Sequence, residues 1–272
     1  MRKKTWFQTG HLGSARCPVK IYIMLIAFIS DIHEDARMLE KALRSAHTLG
    51  AERIFCLGDI TGYSPINQNF ATEKNAAACI DLLREHCEIS IAGNHDMFTA
   101  RRLSEFTAGI HYPGNWYDLS FTEKQRLTGN KVWLYEHETD PRLSPDHIEW
   151  LRTLPEIACI DAGGMKICLT HYIYPDISGS LIMGHEPTYD ALEHRELYRC
   201  DLYLSGHLHP NGCIVQGKKT ANRWVNIDFG EKYSVETGDY LFSPACLRHP
   251  SDCGLLIFNY TKQTITPIRI KV

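Results

Sequence analysis

Short apolar segments alternate with amphipathic ones over the first third of the chain. Mostly apolar runs at Leu25–Ser30, Arg53–Leu57 and Glu88–Ala92 predict buried strands. Between them, apolar residues recur at helical spacing from Asp35 to Leu49 and over Glu73–His86, and Asp35 is suited to cap the first of these helices. The order strand, helix, strand, helix, strand predicts parallel βαβ units, in which ligands gather beyond the carboxyl ends of the strands.

The middle of the chain has a different pattern. Thr99–Asp146 is rich in aromatic residues, Gly and Pro, which predicts irregular structure packed over one edge. Within it, a helix is predicted near Thr122–Leu134. A second, short helix is predicted from Ser144 through Leu151.

The rest of the chain is predicted to be mostly β, with antiparallel strands. Ile157–Ile160 and Lys166–Thr170 flank Gly163-Gly164 and predict a hairpin. One helix is predicted over Thr188–Leu197. Further strands are predicted at Leu202–Ser205, Gly212–Gln216, Trp224–Ile227, Leu255–Asn259 and Ile265–Ile270.

No internal repeat, low-complexity tract or linker interrupts residues 24–272, so we expect one domain there. Residues 1–23 have no apolar periodicity in their basic and Gly/Ser-containing part, and we expect a leader that is disordered or not native. The apolar run Ile21–Ile29 leads into Ser30-Asp31 without a small-residue cleavage pattern, which argues against a signal peptide. Met24 is a candidate translation start.

Composition narrows the class of protein. Apolar residues make up 44% of the 272 positions, enough for a sizeable core, and the net charge is −3. This net charge does not imply an extended basic surface, so we expect no long nucleic acid as partner. No apolar run reaches the about 18 residues of a membrane-spanning helix, so we expect no membrane association. The ten cysteines include no CxxC pair and mostly lie in apolar runs, which predicts reduced core thiols and a cytoplasmic protein.

Five short polar segments lie at or just past predicted strand ends and carry every strong metal-ligand type except thiolate. Two of them, Asp31-Ile32-His33 and Gly206-His207-Leu208-His209, place ligands at i and i+2, the same face of an extended segment. The other three are Gly58-Asp59, Gly93-Asn94-His95-Asp96 and Thr170-His171.

These segments supply seven candidate ligands. They are Asp31, His33, Asp59, Asn94, His171, His207 and His209. Seven are too many for one zinc ion and suit two metals that share one carboxylate; two ions ~3.5–4 Å apart clamp a phosphoryl group. The nitrogen and oxygen donors suit Mn, Fe, Zn, Co or Ni and argue against copper or an iron–sulfur cluster.

Together these residues resemble the calcineurin-like metallophosphoesterase superfamily. Its motif series is D-x-H, G-D-x-x, G-N-H-D/E, a lone H and G-H-x-H, and all five occur here in order between Asp31 and His209. The extension Gly62-Tyr63 and the compact size resemble the small prokaryotic branch of these phosphohydrolases. The resemblance implies an α/β fold in which two mixed sheets pack face to face as a sandwich, with flanking helices and a metal site at one end.

The resemblance also implies a role for each position. Asp31, His33 and His209 would hold one divalent ion, while Asn94, His171 and His207 would hold a second. Asp59 would bridge the two ions, for which Mn²⁺ is the expected metal. His95 would not be a ligand but would act on the leaving-group oxygen, and Asp96 would orient His95.

The implied activity is metal-dependent hydrolysis of a small phosphoester through attack by a hydroxide that bridges the two metals. Phosphomonoesters, phosphodiesters and dinucleoside polyphosphates all stay open as substrates, with a nucleotide or a phosphoprotein as candidates. The alternative is a non-catalytic metal-binding scaffold of the same fold. The oligomeric state is not determined by the sequence.

The rim of the site departs from the branch, which leaves substrate choice open. Glu34-Asp35 stands where Gly-Asn is frequent, Tyr172-Ile173-Tyr174-Pro175 where small residues are frequent, and Asn226–Gly230 where a Gly/Ser turn is frequent. We expect Thr99–Trp116 and Tyr172–Gly184 to wall the cleft. Tyr63 and Tyr172, beside the candidate ligands, either contact the substrate or only pack. The same two alternatives stay open for Tyr112, Trp116 and Tyr117 at the edge of the domain.

Overall fold

The computed structural model describes residues 24–66, 73–182, 184, 199–236, 239–247 and 253–271. The described strands are β1 (Leu25–Ile29), β2 (Ala51–Cys56), β3 (Ile89–Ser90), β4 (Ile157–Ala162), β5 (Met165–Thr170), β6 (Leu202–Ser205), β7 (Cys213–Gly217), β8 (Val225–Ile227), β9 (Tyr233–Ser234), β10 (Asp239–Pro244), β11 (Gly254–Asn259) and β12 (Thr264–Arg269). The described α-helices are α1 (Ala36–Leu49), α2 (Ala76–His86), α3 (Asn94–Thr99), α4 (Phe121–Thr128) and α5 (Pro145–Thr153).

Two mixed six-stranded sheets form the architecture. The first has the order β3-β2-β1-β11-β12-β9 and the second the order β4-β5-β6-β10-β7-β8. In the first sheet β1, β2 and β3 are parallel, while β11 joins β1 in antiparallel sense. The predicted βαβ start of the chain is therefore confirmed.

Apolar side chains are buried in two layers, one between the two sheets and one between the first sheet and its helices. Alternation along β1 sends Ile26 and Phe28 toward the second sheet, where they pack with Leu204 and Phe242. The opposite face of β1 presents Ala27 and Ile29 to the two helices α1 and α2. Both faces of the first sheet thus bury their apolar side chains, one against the second sheet and the other against the helices. This burial explains the layered fold.

The two N-terminal helices begin and end at side-chain and glycine signals. Asp35 accepts a hydrogen bond from the Met38 amide at 3.1 Å, so its predicted role as helix cap is confirmed. Gly50 ends α1 in a left-handed conformation, with φ of 84°. Helix α2 begins only after Asn75, whose side chain accepts from the Ala78 amide, and is therefore shorter than the predicted Glu73–His86.

Several predictions on the second half need correction. The second sheet is mixed, not antiparallel, because β6 is parallel to both β5 and β10. Strands β9 and β10 were not predicted. Helix α4 ends at Thr128 instead of Leu134, because Gly129 adopts a left-handed conformation there. Cys159, whose apolar run had predicted a core thiol, is exposed.

Some predictions lie outside the described residues. These are the leader at residues 1–23 and the helix Thr188–Leu197. Among the residues that the structure describes, no helix is long and apolar enough to cross a membrane.

Candidate metal centre

The five polar segments meet at one end of the sandwich. Asp31 and His33 follow β1, Asp59 follows β2, Asn94 and His95 follow β3, His171 follows β5, and His207 and His209 follow β6. The parallel strands β1, β2 and β3 end on the same side, so their loops are neighbours. The second sheet is joined to this edge because Nδ1 of His171 donates to the Leu57 carbonyl at 2.7 Å.

The backbone at this edge is held in an uncommon conformation. Six residues other than glycine have φ in the left-handed region: Asp31 (54°), His33 (46°), Glu34 (68°), Asp59 (52°), His207 (69°) and His209 (46°). Each such residue costs about 1–3 kcal/mol, and such residues concentrate at functional sites. Here the left-handed conformations direct the carboxylates and imidazoles toward one common space.

Two glycines make this convergence possible. A Cβ at Gly93 would collide with the carboxylate and the amide nitrogen of Asp59. A Cβ at Gly62 would collide with the imidazole of His95. The glycines of these motifs are therefore required for close approach of neighbouring segments.

The first group of donors comprises Asp31, His33 and His209. Nε2 of His209 lies 2.9 Å from Oδ1 of Asp31 and 3.5 Å from Nε2 of His33. Nδ1 of His33 is 3.1 Å from the Gly62 carbonyl, which accepts only, so Nδ1 is the donor and Nε2 faces the group. The ligand atoms lie within 4.8 Å of one another, and this group is suited to hold a metal ion.

The second group comprises Asp59, His171 and His207, also within 4.8 Å of one another. Nε2 of His171 lies 3.2 Å from Oδ2 of Asp59 and makes no hydrogen bond, although it is buried. Oδ1 of Asn94 is likewise buried without a hydrogen-bond partner. A buried imidazole nitrogen and a buried amide oxygen, both without a hydrogen-bond partner beside a carboxylate, are the expected signature of positions that a cation occupies.

Asp59 occupies the centre of the arrangement. Its Oδ2 lies 3.2 Å from Nε2 of His171, 3.8 Å from Nε2 of His95 and 3.9 Å from Nε2 of His33. Its other oxygen, Oδ1, accepts from the His95 amide at 3.0 Å. One carboxylate oxygen thus faces imidazoles of both donor groups.

The electrostatics of the protein groups favour a cation here. Burial raises the pKa of Asp59, but the charges of His171 and His95 outweigh it and lower that pKa well below its usual range. Burial lowers the pKa of His171, yet Asp59 raises it to about 10. Burial and the charge of His171 lower the pKa of His207 to about 3, which keeps this imidazole neutral, the form that binds a metal.

His95 contacts a carboxylate that the sequence analysis did not single out. Its Nδ1 is hydrogen-bonded to Oε1 of Glu138, and the side chains are 14% and 6% exposed respectively. Burial opposes the charged ring, but Asp59 and Glu138 raise the pKa of His95 to about 9. Glu138 lies far along the chain in an irregular segment, where no local motif marks it.

The contact predicted between Asp96 and His95 is wrong in this structure. Oδ1 of Asp96 accepts from the amides of Ile60 and Thr61, both at 2.9 Å, and Oδ2 accepts from the Gly93 amide at 3.0 Å. Asp96 sits in the first turn of α3 and faces back into the loops. It shapes the turns after β2 and β3, while Glu138 contacts the imidazole.

A groove of about 870 Å³ opens beside His95. Its described walls combine apolar and aromatic side chains with a few polar ones; they include Ile66, Phe121, Gln125, Asn130, Val132, Trp133, Tyr135, His137, Glu138 and Ile182. The volume is in the range of pockets for small organic ligands, roughly 300–1,000 Å³.

The expected walls Thr99–Trp116 and Tyr172–Gly184 line a small cavity beside Asn94 more than they line this groove. The groove is lined mainly by 121–138; from Thr99–Trp116 no described residue lines it, and from Tyr172–Gly184 only Ile182 does. Tyr112, Trp116 and Tyr117 instead line a small cavity of about 40 Å³ beside Asn94. Tyr172 is buried with its ring 4.4 Å from that of His207, so it packs against a candidate ligand. Tyr63 instead has the Lys74 ammonium 5.4 Å from its ring centroid.

A sandwich of two mixed sheets with Asp, Asn and His donors at one end defines a metal-dependent phosphoesterase fold, and a family profile agrees. The profile described as calcineurin-like phosphoesterase matches residues 24–211. The chain belongs to this family.

Individual relatives support the same assignment. An uncharacterised protein of Methanocaldococcus jannaschii is 39% identical over 238 residues, which cover 84% of this chain and 78% of that protein. The metallophosphoesterase from Sphaerobacter thermophilus superposes with a TM-score of 0.62 at 23% identity, covering 92% of this chain and 89% of that one. A hypothetical protein from Pyrococcus horikoshii OT3 superposes with a TM-score of 0.55 at 16% identity, covering 92% and 88%. These two structures establish the likeness of fold.

Proposed function

We propose that this protein hydrolyses a small phosphoester at a binuclear metal centre. The observation that carries the proposal is the position of Asp59. Its Oδ2 lies 3.2 Å from Nε2 of His171 in one donor group and 3.9 Å from Nε2 of His33 in the other. A carboxylate with two oxygens is suited to serve two cations at once, which an amide or an imidazole is not.

The donor set fits two divalent ions. Asp31, His33 and His209 would hold one, Asn94, His171 and His207 the other, and Asp59 would serve both. Nitrogen and oxygen donors without thiolate suit Mn²⁺, Fe, Zn, Ni and Co, and of these we take Mn²⁺ as the expected ion. Such ions supply positive charge for phosphoryl oxygens and generate a nucleophile from water at neutral pH.

His95 is placed for work on the leaving group. It lines the groove, lies beside Asp59 and has its Nδ1 on Glu138. With Nδ1 engaged by a buried carboxylate, Nε2 is the ring atom left to donate a proton to the departing oxygen. Glu138 acts as a positioning residue that holds the orientation and protonation of this ring.

The groove beside His95 would receive the alcohol portion of the substrate. Trp133, Tyr135 and Phe121 on its walls favour a leaving group that carries an aromatic or apolar part. Its volume of about 870 Å³ admits a nucleoside-sized group, whereas the net charge of −3 provides no extended basic footprint for a long nucleic acid.

The test is an assay of Mn²⁺-loaded protein on aryl phosphate monoesters and diesters side by side. Wild-type protein should bind close to two ions per chain and turn over at least one substrate class. Asp59→Asn should lose bound metal and activity together, because a neutral amide compensates two cations poorly.

A matched control is Asp161→Asn, since Asp161 is a carboxylate on β4 that belongs to neither donor group. It should retain both metals and full activity. Stoichiometric metal without turnover of any ester would support the scaffold alternative, and a single tightly bound ion unaffected by Asp59→Asn would reject the binuclear centre.

A further inference from the structure

Three cysteines, none of them a member of the Asp and His donor groups, meet on the outer face of the second sheet. Cys159 on β4 pairs directly with Cys168 on β5 in the antiparallel register. Directly paired residues point to the same face of a sheet, so both thiols lie side by side. Cys200 approaches from the segment that leads into β6, the other neighbour of β5.

The three sulfur atoms are close enough to share one ion. All Sγ atoms lie within 4.8 Å of one another, and those of Cys159 and Cys200 are 3.6 Å apart. Two thiolates bound to one ion at a metal–sulfur distance of ~2.3 Å are themselves ~3.8 Å apart in tetrahedral geometry. The observed spacing therefore needs little rearrangement.

The surroundings suit three thiols that are neutral without a metal and lose their protons when a metal binds. Cys168 and Cys200 belong to an apolar cluster with Tyr172, Tyr203 and Leu241. Burial, followed by the hydrogen bond with Cys159, raises the pKa of the Cys200 thiol to about 12. A bound metal replaces the thiol protons, which pass to the solvent, and Zn²⁺ would offset two of the three thiolate charges.

We propose that Cys159, Cys168 and Cys200 form a second metal site, specific for a soft, thiophilic cation of the Zn²⁺ or Cu(I) type. Thiolates select these ions, whereas the oxygen and imidazole donors of the other centre suit harder ones. The two sites share no residue. Because Cys159 is exposed, an ion has access to the trio from solvent.

The test uses Cd²⁺ as a probe on the full-length protein, kept reduced and first loaded with Mn²⁺. Only thiolate ligands produce the ultraviolet charge-transfer band of cadmium, so the Asp and His centre is silent in this readout. The band should saturate at one Cd²⁺ per chain. Cys159→Ser should reduce its amplitude by about a third and weaken affinity more than about tenfold, since loss of a direct ligand exceeds the loss of an outer-shell partner.

Cys87→Ser is the matched control, because Cys87 is a free, partly buried thiol outside the trio. It should leave the band and the affinity unchanged. Cys200→Ser provides a second variant, and circular dichroism checks that each variant folds.

Competition distinguishes the two candidate ions. Displacement of Cd²⁺ by a large excess of Zn²⁺ assigns zinc, and displacement by Cu(I) alone assigns copper. The proposal is overturned by the absence of a band, by a band that Cys159→Ser leaves intact, or by a loss that Cys87→Ser reproduces.

Discussion

At the scale of single residues, two of the candidate ligand histidines each make a hydrogen bond to a backbone carbonyl with the ring nitrogen that does not face Asp59. Nδ1 of His171 donates to the Leu57 carbonyl and Nδ1 of His33 to the Gly62 carbonyl. These contacts orient Nε2 of each ring toward Asp59 and fix its tautomer. His95 is different, since its Nδ1 meets a carboxylate instead of a carbonyl. That difference is the basis for proposing His95 as the proton donor and the other two rings as metal ligands.

The pairing of His95 with Glu138 leads to the first prediction. A general acid contributes about 10²–10⁴-fold, and more when the leaving group needs the proton. His95→Gln should therefore retain metal but lose more rate on an alkyl ester than on a nitrophenyl ester. Glu138→Gln should show the same leaving-group dependence with a smaller loss of kcat, about 10–100-fold.

The matched control is Glu136→Gln, since Glu136 lines the same groove but pairs with His137 instead of His95. Rates on both esters should stay within twofold of wild type, an expectation of roughly neutral surface change. Equal losses on both esters for Glu138→Gln would contradict a role through proton donation, and loss of a metal in His95→Gln would make His95 a ligand.

At the scale of elements, the groove depends on where α4 ends. Gly129 stops the helix, and the chain continues as an extended segment in which Val132 bridges Leu181. The Trp133 amide donates to the Ser180 carbonyl at 3.0 Å, which sets the segment against the loop after β5. Trp133 is 41% exposed and faces the groove instead of the core.

The second prediction concerns this wall. Trp133→Ala should lower kcat/KM for an aryl phosphoester about 2–10-fold, the worth of one aromatic contact, while a glycerol phosphoester changes little. Metal content should stay at the wild-type value. Trp224→Ala is the control, since Trp224 is similarly exposed at 43% but outside the groove. If both variants behave alike, the groove does not receive the leaving group.

At the scale of the whole molecule, one arginine links the two sheets. Arg53 on β2 donates to both carboxylate oxygens of Glu88, each at 2.7 Å, and also to the Asp161 carbonyl on β4 at 2.7 Å. The hydrogen bond from Arg53 lowers the pKa of Glu88 below 4.5, its usual value. This contact joins residues that are distant in sequence and connects the two sheets. It is made by β2, the strand that precedes Asp59.

The third prediction follows from that lowered pKa. Because the acid is stronger in the folded state, the pair stabilises the protein above pH 4.5, and the contribution is lost as the pH falls through the lower folded pKa. Glu88 is 48% exposed, so Glu88→Gln should lower the free energy of unfolding by only about 0.2–1 kcal/mol at pH 7. Urea titrations at several pH values measure the difference.

Glu40→Gln serves as the control for this series. Glu40 meets Arg44 through a single contact of 3.5 Å on the exposed face of α1, so its effect should be smaller at every pH. A Glu88→Gln effect that stays constant from neutral pH to below pH 4 would show that the charge of Glu88 does not contribute.

Local pattern was sufficient to predict the elements whose burial repeats within a short stretch of the chain. Period and length of apolar runs were enough for β1, β2, α1 and the β4–β5 hairpin, because burial of one face repeats along the chain. The candidate ligands were identifiable because each follows a strand end within a short motif. The predicted fold of two mixed sheets is confirmed.

Contacts between residues distant in sequence became known only from the folded chain. Strand β10 enters the second sheet between β6 and β7, and no local pattern encodes that pairing. Glu138 reaches His95, and Cys200 joins the hairpin pair Cys159 and Cys168, through packing of segments that are far apart in the chain. Asp96 turned to the loop amides because three N–H donors there bind its carboxylate at short range. The whole fold determines which partner a side chain contacts, whereas the residue type alone determines which chemistry the side chain offers.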